Sequence, residues 1–231
     1  MCASWTPRIC CRPAAGNVRI EIVIYPGFDE LDAIAPFEVF KSAAVLGADF
    51  ETHLTSLQGA VEIRAGHGLR VQSEGKIAAG VLPGLLVIPG GGWNNRAAQG
   101  ARTQVEQGGL PAELLRLKEK GVTLASVCTG AMILASAGIL RGRPAITHAS
   151  AIDDLRAAGA RIVEARVVDD GDVITSGGVT AGLDMALWLV ERYAGEDIAQ
   201  RVERRMEHKR SRDILRSSQH AAVENAPQMK Q

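Results

Sequence analysis

Short apolar runs alternate with longer helical patterns along most of this chain, and that alternation constrains the fold more than any other feature. "VRIEIVIYP" (18–26) reads as a buried strand that stops at Pro26, and "LDAIAPFEVFKSAAVLG" (31–47) as a helix closed by Gly47. Proline lacks an N–H, so Pro36 predicts that the regular helix starts near it. "DFETHLTSL" (49–57) is a second strand, "VEIRAGHGLRVQS" (61–73) a hairpin about its central GHG, and "GLLVIPGGGW" (84–93) a buried strand running into three glycines. The series continues with a helix over 103–120, a strand over 122–127, a helix over 129–139, a short helix over 153–159 and a strand over 161–168. "DDGD" (169–172) then turns into "VITSGG", and helices follow over 179–193 and 195–208.

Such alternation predicts an α/β fold: a flavodoxin-like parallel sheet with helices on both faces. Sheets of this kind place ligands at the carboxyl ends of their strands. Three of those ends carry "YPGFDELD", "PGGGW" and "SVCTG", and all three are expected on one edge of the sheet. No internal repeat or linker divides the chain. The expected division is an unstructured leader over 1–17, one domain over 18–208 and a polar tail over 209–231.

Charge and cysteine usage narrow the function. The 26 lysines and arginines balance 26 aspartates and glutamates, which gives no sign of a nucleic-acid or membrane-surface partner. The apolar runs are too short to span a bilayer, and the first residues lack a secretory h-region, so a cytoplasmic protein is expected. Cys2, Cys10 and Cys11 lie in the leader with no histidine or second CxxC pair to complete a zinc set, so no metal is expected. Cys128 stands alone in the domain as a free thiol.

"TLASVCTGAMILASAG" (123–138) puts Cys128 where a strand becomes a helix. A sharp turn there lifts a nucleophile clear of the sheet, and the helix start favours the thiolate. Thr129 and Gly130 suit such an elbow. A small buried hydrophobe would look the same by spacing alone. Asp32 likewise reads either as a proton-handling carboxyl or as the cap of the helix that follows it. The glycines Gly90 to Gly92 allow close backbone approach to a ligand, or make a tight turn.

"SVCTGAMILASAGILRGRPAITH" and "ITSGGVTAGLDMAL" resemble the ThiJ/PfpI superfamily, with its class I glutamine-amidotransferase-like fold. "YPGFDELDAIAPFEVF", "VIPGGGW" and "SVCTG" bring the resemblance nearest to the isonitrile hydratase branch, over about residues 18–207. The resemblance implies that Cys128 is the nucleophile and that Asp32 hydrogen-bonds its sulfur and handles protons. It implies oxyanion donors at Gly91 and at the backbone of Thr129, whose hydroxyl also faces the site. Gly92 and His148 would line the pocket. The hydratases usually read THW where this chain has Thr147, His148 and Ala149, so Ala149 would leave the pocket wider. Ala35 stands where relatives usually have glycine, a small change. The protease branch has histidine after the cysteine; Thr129 speaks against peptidase activity.

The implied reaction is hydration of an isonitrile to an N-substituted formamide through a covalent thioimidate, without cofactor or metal, in a homodimer. The alternatives are glyoxalase-type thiol chemistry on small carbonyl compounds, or a ligand- or oxidation-sensing domain. Similar sequence forms the sensor half of some AraC-type regulators, but too few residues follow residue 207 here for their helix-turn-helix unit.

Overall fold

The computed structural model describes residues 17–217. Cys2, Cys10, Cys11 and the end of the tail (218–231) lie outside the described residues. The elements run β1 (Val18–Val23), α1 (Glu30–Val45), β2 (Phe50–Ser56), β3 (Glu62–Arg64), β4 (Arg70–Gln72), β5 (Gly75–Lys76), β6 (Leu85–Ile88), α2 (Ala101–Gln107) and α3 (Gly109–Glu119). They continue with β7 (Thr123–Ser126), α4 (Gly130–Ser136), β8 (Pro144–Ala145), a 3₁₀ turn (Ala149–Ala151), α5 (Ile152–Ala157), β9 (Arg161–Ile162), β10 (Val167–Asp169), β11 (Val173–Ser176), α6 (Ala181–Ala194), α7 (Glu196–Met206) and β12 (Ile214–Arg216).

Eight strands form one sheet in the order β12-β10-β11-β7-β6-β1-β2-β5. Every pairing in it is parallel except β10 with β11, which the "DDGD" turn joins as a hairpin. Two groups of helices cover it: α1, α6 and α7 pack together, and α2 to α5 pack together. β6 lies between them, and Leu85, Leu86, Val87 and Ile88 are all fully buried. A strand covered on both faces needs such an uninterrupted apolar run. The order sets β7, β6 and β1 side by side, so the loops after them emerge together. The GHG segment is the tip of the β3–β4 hairpin.

Four sequence expectations change. Pro36 lies inside α1, which begins at Glu30 rather than near the proline. Its missing N–H leaves the Asp32 carbonyl without the usual helical partner. The region 103–120 is two helices, because Gly108 adopts φ +74° and ends α2. The strand expected over 161–168 is two strands in different sheets: β9 pairs with β8, and β10 joins the main sheet. The polar tail expected from residue 209 is part of the domain as far as 217, with β12 adding a parallel edge to β10. The Arg210 side chain is fully buried there, paired with Glu191 and, at 2.5 Å, with Glu203. Polar composition hid this strand because buried ion pairs anchor the segment leading to it, while the strand itself is held by backbone pairing to β10 and by Ile214 against the core.

Candidate active site

The turn after β7 is the strand-to-helix elbow. Cys128 has φ +56°, a left-handed conformation unusual for a residue with a side chain. Hydrogen bonds on both sides hold it there. The Cys128 N–H donates to Gly177 O at 2.9 Å, and the Thr147 hydroxyl donates to the Cys128 carbonyl at 2.9 Å. Gly130 then starts α4 against the end of β6, where a Cβ would fall 2.2 Å from the Ile88 carbonyl oxygen. Gly90 packs as tightly, because its Cβ would meet the Thr129 backbone nitrogen at 2.5 Å. The glycines are therefore needed for the loops to touch. Gly130→Ala should destabilise by about 1–3 kcal/mol, the usual scale of overpacking, and so lower Tm by roughly 2–12 °C in a domain of this size. An unchanged Tm by calorimetry would mean that α4 can shift freely.

Asp32 sits in the first turn of α1, but it is not the cap. Asp29 is, and its Oδ1 accepts from the Leu31 N–H at 3.2 Å. Asp32 is fully buried and accepts from the Gly90 N–H at 2.9 Å through Oδ2. Its Oδ1 meets no nitrogen or oxygen donor, and the carboxyl interacts with the Cys128 thiol. Burial, and then the nearby Asp29 charge, push Asp32 up to about 8, so it keeps its proton at neutral pH. Burial, and then an ionised Asp32, push the Cys128 thiol up to about 12. At neutral pH both groups therefore keep their protons, and an ionised Asp32 faces the thiol only above about pH 8. A protonated Asp32 is instead a donor for the thiolate. The backbone N–H groups of Thr129 and Val179 also point at the sulfur and favour its charged form.

Gly91 does not stand as the expected oxyanion donor. Its N–H donates to the Thr129 hydroxyl at 2.9 Å, which leaves that hydroxyl its own proton to donate. Gly92 has φ +65° and packs on Gln99, where a Cβ would fall 2.5 Å from the carbonyl oxygen. Both glycines shape the loop, and the donors at the sulfur are Thr129 and Val179. His148 lies at the same loop. Its Nδ1 accepts from the Ser150 N–H at 3.1 Å, so the neutral ring carries its proton on Nε2. Its Cδ2 lies 2.8 Å from where a Gly178 Cβ would be. Ala149 is exposed at the start of the 3₁₀ turn and, unlike its neighbour Ser150, is not among the residues that line the cleft described below. Ala149→Trp should leave the relative kcat/KM for a compact and a bulky substrate unchanged within about twofold, whereas a lost pocket contact would change it roughly tenfold.

Sequence reading missed Tyr25, Val179 and Trp93. The Tyr25 hydroxyl is buried and donates to Pro89 O at 2.6 Å, tying β1 to the glycine loop. Burial, then Asp32 and Cys128, raise it well above the usual phenol range. Its place in "YPGFDELD" was the available signal. Trp93 is buried, bonds Asp154 through Nε1 at 2.7 Å and lies under the Arg102 guanidinium. With Met132 of α4 it lines a cleft of about 620 Å³ whose walls do not include Cys128, Thr129 or Asp32. Among the described residues no cluster of three or more His, Cys, Asp or Glu could hold a metal.

A mostly parallel sheet with a strained cysteine on its strand-to-helix elbow, backed by a buried carboxyl, defines a flavodoxin-like α/β protein of the thiol-elbow type. The chain belongs to the DJ-1/PfpI family, whose model matches residues 18–192. It is 31% identical over 192 residues to an isonitrile hydratase of Pseudomonas putida, covering 83% of this chain and 78% of that protein. It is 30% identical over 162 residues to a deglycase of Thermococcus kodakarensis, covering 69% and 89%. A crystal structure of a ThiJ/PfpI family protein from Pseudomonas syringae superposes with TM-score 0.72 at 27% identity, over 91% of this chain and 83% of that one. No described helix is long and apolar enough to cross a membrane.

Proposed function

We propose that the protein is a cysteine-dependent hydratase that converts an isonitrile to an N-substituted formamide. The observation that carries this reading is the pair of Cys128 on the elbow and a buried, proton-bearing Asp32 against it. Similarity to an isonitrile hydratase over four-fifths of the chain supports the substrate. An isonitrile carbon must gain a bond to a nucleophile and a proton. The Cys128 sulfur forms the C–S bond while the Asp32 proton moves to that carbon and the thiol proton passes to Asp32, which gives a thioimidate, R–N=CH–S–Cys128, with the carboxyl protonated again. Water then adds to the same carbon, its proton passing to the nitrogen. The C–S bond breaks as the hydroxyl proton passes through Asp32 to the sulfur, the formamide leaves, and thiol and carboxyl are back in their starting protonation. Splitting one addition into two steps lowers each barrier. The N–H groups of Thr129 and Val179 stabilise the sulfur anion.

A second reading, thiol chemistry on small carbonyl compounds, is favoured by the deglycase among the relatives. The test is to mix the protein with a panel of alkyl isonitriles and dicarbonyls, following the mass of the intact protein and the products. Formamide release with a transient adduct on Cys128 is expected. Turnover of dicarbonyls alone, with no isonitrile consumed, would replace the first reading by the second.

A further inference from the structure

The loop 177–180 delivers the Val179 N–H to the sulfur, and nothing in the reaction accounts for what holds that loop. Arg166 grips it from both sides. Its carbonyl accepts the Gly177 N–H at 3.1 Å, and the Gly177 carbonyl in turn accepts the Cys128 N–H. Its guanidinium donates through Nη2 to the Thr180 hydroxyl at 3.0 Å and through Nε to Asp184, which is buried in the first turn of α6. Asp184 is itself fastened from the C-terminal segment by the Ser211 N–H at 2.9 Å and by His208 Nε2 at 3.0 Å. The Arg166 N–H donates to Asp213 at 2.9 Å, so that segment also sets where the arginine stands.

We propose that Arg166 is a positioning residue: by clamping Thr180 and Asp184 it holds the Val179 N–H on the Cys128 sulfur and so sets how readily the thiolate forms. A guanidinium suits this task because its planar fork serves two acceptors at once. The ionisable groups that face the sulfur itself are Asp32, Asp29 and Tyr25, from the loop after β1 and the start of α1, and none of them touches Arg166. His148 packs on Gly178 from the other side. The inference rests on Cys128 being the reacting group, but it concerns thiol ionisation rather than any one substrate.

The experiment measures the rate of Cys128 alkylation by iodoacetamide against pH, by peptide mass mapping, in the unaltered protein, Arg166→Gln, Arg166→Lys and Thr180→Val. Thr180→Val leaves the Asp184 ion pair intact, so it reports even if Arg166→Gln fails to fold. Losing a donor to the charged form should raise the midpoint by about one pH unit, read as alkylation about tenfold slower at neutral pH, where thiolate is scarce. Lysine reaches only one acceptor, so Arg166→Lys should fall between Arg166→Gln and the unaltered protein. A purely structural role predicts a lower Tm with an unmoved midpoint. Unmoved midpoints in folded Arg166→Gln or in Thr180→Val would overturn the clamp. If Cys128 of the unaltered protein is not alkylated in the native state at all, the nucleophile reading fails instead.

Discussion

Cys128→Ser is expected to abolish the proposed isonitrile turnover, by at least about 10³-fold, the scale on which enzymes fail when a covalent nucleophile is removed. Serine keeps the size and the capacity to hydrogen-bond at the elbow, so the change tests reactivity rather than packing. An alcohol ionises far less readily than a thiol, and two N–H donors with a proton-bearing carboxyl do not make up that difference. No mass adduct should form on the variant, and its Tm should stay near that of the unaltered protein. Residual turnover within tenfold would mean that water is activated directly, with the thiol a bystander.

Asp32→Asn should slow turnover about 10²-fold, the usual loss for a positioned proton-transfer group, and at the same time stabilise the fold. A carboxyl whose folded pKa is raised to about 8 binds its proton more tightly folded than unfolded. Stability is therefore highest below the unfolded value of 3.8 and falls as pH rises, until the folded pKa is passed. The full penalty, four units at 1.36 kcal/mol each, has an upper bound on the order of 5 kcal/mol. Asparagine still accepts the Gly90 N–H and has no proton to lose. Its stability gain should thus be near zero at pH 4 and largest above pH 8. Denaturant melts across that range measure it, and the unaltered enzyme should lose rate above about pH 8 on a limb that Asp32→Asn lacks. A pH-independent stability difference would mean that Asp32 is ionised in the folded protein.

Legibility differed by region. The strands at 18–26, 84–93 and 122–127 were readable because a strand covered on both faces must be apolar throughout, as Leu85 to Ile88 are. The elbow was readable because Cys128, Thr129 and Gly130 follow such a run directly. The sequence could not separate Asp29 from Asp32 as the helix cap, since both aspartates suit a first turn. The fold decides it: Asp29 accepts the Leu31 N–H as the cap, and Asp32 accepts the Gly90 N–H instead.

What the chain determines by itself is the order of strands and helices and the types of residue at the three strand ends, because periodicity and turn chemistry act between near neighbours. Tertiary structure alone decided the rest. The Gly91 N–H is spent on a threonine 38 positions away, and Val179 rather than Gly91 points at the sulfur. Ala149 faces out, and residues 209–217 return to the sheet through buried charges. Each of these depends on a contact between groups far apart in sequence, and the partner of a buried polar group is set by where the folded backbone leaves its unpaired donors and acceptors.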